Sequence, residues 1–241
     1  WVSIISVVAA LLLAINDAFG FRLFIGYTFH VQTYYFLIVG FLFPLAFLHV
    51  GFTNKQTSRP PTLLDIIFWV IFAVFSFYLA STAYLSDVSG WERIAPTHIT
   101  VMVVILWILI IEAVRRTANT TLAVLIFIFS LYPIIATYMP GFLSGVSRDF
   151  FVTMRNHIIG TDSFMGIMMR NYCEIVIGYI FFGIVVVAVG GADFFLDLAM
   201  SAFGRTRGGI GKVAVFASAL FGSVSGSSPV NVMTTGSMTI P

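Results

Sequence analysis

Gly222-Ser223-Val224-Ser225-Gly226-Ser227-Ser228-Pro229-Val230-Asn231-Val232-Met233-Thr234-Thr235-Gly236 is the stretch on which the fold turns. It lies in a run from Val213 to Pro241 that holds no Asp, Glu, Lys or Arg. Such a run belongs in a membrane, yet small residues, Pro229 and a cluster of hydroxyls and amides make it a poor continuous helix. Broken backbone at membrane depth survives only where protein buries it or where it lines a watery cavity. Half-helices that meet at such a break are how secondary transporters build sites near the midplane. The stretch therefore predicts a re-entrant helical hairpin over 213–241.

Outward from it, the whole chain reads the same way. Of 241 residues, 59% are hydrophobic and 9% charged, with a mean hydropathy of +1.03. Soluble domains carry about 25% charged residues, so the fold class is an all-α polytopic membrane protein. Apolar runs long enough to span fall at 31–52, 62–84, 97–114, 120–138 and 175–192, while 1–15 is apolar but short and reads as a span that has lost its beginning. Thr62 and Asp65 are spaced as a capping box after Pro60-Pro61, and Glu112 stands four residues before Arg116, the spacing of a helical ion pair at the water boundary. Pro133 predicts a kink. The mixed stretch 142–174 reads as too polar to cross, with a surface-lying helix near 149–159 and a turn at Gly160-Thr161-Asp162. Residues 192–203 predict a short interfacial helix.

Lys and Arg counts orient the chain. The odd connections hold Arg22, Arg93, Arg148, Arg155 and Arg170, in long loops rich in acids. The even ones hold Lys55, Arg59, Arg115, Arg116, Arg205, Arg207 and Lys212. The even connections, and the N-terminus with them, are expected on the cytoplasmic side, from which the hairpin would then enter. The chain opens on Trp1 and stops at Pro241 in mid-pattern, which reads as an excerpt of a longer protein.

Several functions lack their residues. A net charge of +2, spread over loops, gives no basis for nucleic-acid binding, and the single cysteine, Cys173, allows no internal disulfide or cysteine cluster. Gly222–Gly226 reads G-S-V-S-G and not the G-x-S-x-G of a hydrolase elbow. No phosphate loop is present. His30, His49, His98 and His157 lie far apart and read as packing or interface residues. The acids fall at loops, which argues against a proton relay. No catalytic residue and no cofactor is expected. The hydroxyls, amides and freed carbonyls of the hairpin instead suit a hard monovalent cation. The rival reading is a non-transporting scaffold or assembly subunit, whose G-x-x-x-G and small residues only pack helices.

The run Gly190-Gly191-Ala192-Asp193-Phe194-Phe195-Leu196-Asp197-Leu198-Ala199, then Phe203-Gly204-Arg205, Gly208-Gly209 and Lys212 to Pro241, resembles the fused permease of tripartite ATP-independent periplasmic (TRAP) transporters, nearest the TAXI-associated branch. The string Ala217-Ser218-Ala219-Leu220-Phe221-Gly222-Ser223-Val224-Ser225-Gly226-Ser227-Ser228 carries most of the specificity. The resemblance implies a sodium-coupled importer of organic acids in a bacterial or archaeal inner membrane. It also implies an elevator mechanism and a periplasmic substrate-binding protein as partner. It divides the chain into a four-helix small-subunit-like scaffold at 1–114, a connecting helix at 115–141, and the start of the transport region at 142–241. It assigns sodium and substrate binding to Ser223, Ser225, Gly226, Ser227, Ser228, Asn231 and Thr234. Where relatives carry Val-Ala before the Asn, this chain has Pro229-Val230.

Overall fold

The structure is a computed structural model that describes residues 1–20, 30–52 and 61–225. It is helical, with no strand among the described residues. The elements are α1 (Val2–Phe19), α2 (Val31–Leu42), α3 (Leu45–His49), α4 (Leu63–Ser89), α5 (Thr97–Thr117), α6 (Thr120–Ile135), α7 (Phe150–Ile158), α8 (Ile167–Asn171), α9 (Ile177–Ala188), α10 (Gly191–Phe203) and α11 (Gly209–Ser225). Among the described residues six helical stretches are long and apolar enough to cross a bilayer: Val2–Phe19, Val31–His49, Leu63–Ser89, Thr97–Thr117, Thr120–Tyr138 and Ile167–Ala188. The protein is thus an all-α polytopic membrane protein, as its composition requires.

Two compact units divide the chain, Trp1–Cys173 and Glu174–Pro241. In the first, α2 packs on α4. Gly40 makes the close approach possible: a Cβ there would come within 3.2 Å of both the Phe77 ring and Ser76 Cβ. Phe41 then meets Phe77 edge-on with centroids 4.9 Å apart. Small residues serve membrane helices in this way because no hydrophobic force drives helix association in lipid. Pro44 breaks the second span between α2 and α3, since proline withholds an N–H and crowds the preceding turn. Helix α4 opens on the expected capping box, Thr62 with Asp65, and closes on Gly90 in the left-handed conformation (φ 65°).

Pro133 lies inside α6, which gives way to a 3-10 turn at Ala136–Tyr138. The following chain doubles back to satisfy the carbonyls there: the Arg148 N–H donates to Pro133 at 3.0 Å and the Gly145 N–H to Ala136 at 3.0 Å. Asp149 caps α7 through a 3.1 Å bond from the Phe151 N–H. This short helix is where expected but is not a purely surface one. Thr153, Met154 and Ile158 are buried as it packs on α5 and α6.

The sixth span begins at Ile167, not at 175. Arg170 and Glu174 made this segment look too polar, but each has an interaction partner within the fold, which lowers the cost of a charge in an apolar helix. The span widens into a π-turn at Tyr172–Val176. The hydroxyl of Tyr34 on α2 donates to the Cys173 carbonyl in that turn at 3.2 Å. Insertion of one extra residue in a helix leaves carbonyls in need of donors, and Tyr34 supplies one.

Candidate functional site

Two of the expected site residues, Ser223 and Ser225, lie on α11, so the setting of that helix in the second unit comes first. Gly190 takes a left-handed conformation (φ 84°) and turns the chain from α9 into α10. Helices α10 and α11 then pack through Ala199, Val213 and Ala217, with Leu196 and Phe203 against them. The turn between them is built of glycines for steric reasons. A Cβ on Gly209 would lie 2.7 Å from the Phe203 carbonyl oxygen, and one on Gly204 2.6 Å from that of Met200. Gly208 has φ 70°, where side chains are strained. The chain can therefore reverse within 204–208 and start α11 at Gly209, four residues earlier than the sequence reading placed it.

Through Ser225 the backbone is helical, so the stretch that looked a poor helix forms one over its first part. Ser223 sits on the last described turn. Its hydroxyl donates to the Leu220 carbonyl at 2.7 Å, and its own carbonyl accepts from the hydroxyl of Tyr179 on α9. The hydroxyl proton is thus used locally while the oxygen keeps lone pairs. Ser225 follows on the same helix. Gly226, Ser227, Ser228, Asn231 and Thr234 lie outside the described residues, as does the rest of the expected hairpin.

The first unit holds a polar constellation that the sequence disclosed only in part. Glu112 and Arg116 do pair, at 2.7 Å. Arg116 is drawn into the protein, its side chain only 1% exposed. Its guanidinium also donates to Asp65 Oδ1 at 2.6 Å. The Phe47 and Phe68 rings lie 5.2 Å and 5.6 Å from it, within cation–π range. Arg115 forks onto Glu112 with two 2.7 Å bonds and donates to the Phe52 carbonyl at 3.1 Å. Asp65 accepts from the Thr62 backbone at 3.0 Å and hydroxyl at 2.7 Å. Two acids meet two arginines, so the cluster closes without net charge. Asp65 is a buried acid, against the expectation that acids fall at loops. Its partner is 51 residues away, beyond the reach of any helical spacing rule.

The histidines read as packing residues do pack. His30 pairs with Asp87 at 3.3 Å, His49 meets the Leu45 carbonyl at 3.0 Å, and His98 lies 3.5 Å from the Tyr78 hydroxyl. His157 Nε2 donates to the Ser130 carbonyl at 2.8 Å. No group of three or more His, Cys, Asp or Glu side chains that could hold a metal ion occurs among the described residues. Arg155 is bonded within the first unit: it donates to Thr100 Oγ1 at 3.0 Å and to the Arg93 carbonyl at 2.6 Å.

Residues 105–241 match the family described as tripartite ATP-independent periplasmic transporter, DctM component. The chain belongs to this family. The DctM component is the large permease component of a TRAP transporter, in a family that works with a periplasmic binding protein and a small subunit. No curated protein and no solved structure gives a significant match. The match covers α6 to α11 and all the expected site residues, and begins inside α5. Arg115 and Arg116 are thus in the DctM region while Asp65 precedes it, so the ion cluster ties the preceding helices to the family's own.

Proposed function

We propose that this TRAP permease is sodium-coupled and imports organic acids delivered by a periplasmic binding protein. In this reading α11 is the first limb of a hairpin entering from the cytoplasmic side of an inner membrane. The hydroxyls, amide and carbonyls of Ser223, Ser225, Gly226, Ser227, Ser228, Asn231 and Thr234 replace the water of a sodium ion, with the carboxylate substrate beside it. The transport region moves against a scaffold as an elevator. The helices before the DctM match take the part of the small subunit, fused here as in the TAXI-associated branch. The observation that carries the proposal is the run of α11 into this hydroxyl-rich stretch, inside the segment matched to a transporter family.

One observation favours the packing alternative at a single residue. The Ser223 hydroxyl donates to its own helix, as serines do where they merely occupy apolar surroundings. The two readings part in uptake assays. Full-length permease with its binding protein in proteoliposomes should accumulate labelled organic acids only with an inward sodium gradient. Ser225→Ala and Asn231→Ala should each abolish that uptake without unfolding the protein. Uptake indifferent to sodium and to both substitutions would remove the site assignment and leave helix packing as the role of the stretch.

A further inference from the structure

The turn between α10 and α11 carries features that neither transport site nor packing uses. Arg205, Arg207 and Lys212 are all exposed, and none forms an ion pair among the described residues. Beside Lys212 a groove of about 490 Å³ runs along Phe203, Gly208, Gly211, Val215 and Phe216. Its walls are apolar: Phe203 and Phe216 meet edge-on with centroids 4.9 Å apart, and Val215 is 73% exposed. Gly211 forms part of the groove for no reason internal to the fold. A Cβ there would meet nothing within 4 Å, and helical glycine costs about 1 kcal/mol relative to alanine. The backbone N–H groups of the first turn of α11 add partial positive charge at the same end.

We propose that this turn binds an anionic phospholipid. The phosphate sits among Arg205, Arg207, Lys212 and the first turn of α11, and an acyl chain lies over Gly211 along Val215 and Phe216. Charge complementarity selects the occupant. Uncompensated cations at the head of an apolar groove match a molecule with a negative head and a hydrocarbon tail, and fit a purely apolar chain or a small polar solute less well. The bound lipid would anchor the turn from which α11 departs. Anionic lipid content thereby becomes a control on how that limb is held.

Native mass spectrometry of the full-length permease, released from mixed phosphatidylcholine and phosphatidylglycerol micelles, tests this directly. The wild type should retain phosphatidylglycerol in preference to phosphatidylcholine. Each basic residue near an anionic lipid contributes about fivefold in affinity, so the combined Arg205→Gln, Arg207→Gln, Lys212→Gln variant should lose the preference. Gly211→Leu leaves every charge in place, favours the helix and fills the groove, and it should lose the lipid as well. Arg93→Gln, which removes an exposed cation in the other unit, should bind like the wild type. Equal retention of the two lipids by the wild type, or an unchanged preference in the triple variant, would overturn the proposal. So would a Gly211→Leu protein that keeps the preference while soluble glycerol phosphate competes for it, since the site would then be one for free phosphate.

Discussion

The Asp65–Glu112–Arg115–Arg116 cluster and the α10–α11 turn each gather basic residues, and they treat charge in opposite ways. In the first, each guanidinium is taken up by carboxylates, carbonyls and aromatic faces, and Arg116 is almost wholly buried. In the second, Arg205, Arg207 and Lys212 stand exposed without an acidic partner among the described residues. A saturated cluster has nothing left for a ligand and can only hold structure. An unsaturated one costs little to keep in water and stays available. The contrast assigns roles without appeal to family knowledge, and substitutions can break it.

The largest effect should come from Arg116→Met. Removing one partner from a buried ion pair strands the other, at a cost of about 3–5 kcal/mol, so the detergent-solubilised protein should melt well below the wild type. Adding Asp65→Asn should recover part of that loss, because no carboxylate is then left uncompensated. A single variant as stable as the wild type would mean the cluster is not the structural tie it looks to be.

Arg155→Ala comes next. Its bonds to Thr100 and to the Arg93 carbonyl hold α7 against the start of α5, and hydrogen bonds of charged groups contribute about 1.5–3 kcal/mol each. Melting should fall, while affinity for the binding protein, measured on folded material, should not. Lost affinity at unchanged stability would assign Arg155 to docking of the binding protein and not to holding α7.

These same residues show how far the sequence could be read. All six spans were legible because a bilayer imposes length and apolarity on each one locally. The capping box of Thr62 and Asp65 and the short helices near 149–159 and 192–203 follow equally local rules. What escaped were charges whose compensation within the fold leaves no local pattern. Arg170 and Glu174 hid the first turns of the sixth span, and Asp65 was read as a cap alone because Arg116 lies 51 residues on. Of the candidate site, the described part is helical through Ser225, where its small and polar residues predict a broken helix, because the turn glycines and the packing on α10 hold it. The π-turn at Tyr172–Val176, and its contact with Tyr34, left no mark in local pattern.

Ser223→Ala falls between the two kinds of site. Among the described residues the hydroxyl bonds its own helix alone, so its loss should change stability by no more than about 0.5 kcal/mol. If its oxygen also faces a sodium ion, the sodium concentration for half-maximal uptake should rise several-fold at constant stability. No change in either quantity would place Ser223 with the packing residues, and confine any ion site to residues beyond it.

The smallest effect, and the most telling beside Arg116, is expected from Lys212→Gln. No partner is stranded and no cavity opens, so the melting temperature in zwitterionic detergent should match the wild type. Stabilisation of the wild type by added phosphatidylglycerol should shrink in the variant, because a ligand stabilises only through the binding it gains in the folded state. That response should also weaken with salt, since exposed charges are screened over about 8–10 Å at ordinary ionic strength, whereas the Arg116 cluster should be indifferent to salt. Were Lys212→Gln to destabilise the protein without lipid, the turn would belong with the saturated cluster, and unpaired charge would no longer mark an available site in this fold.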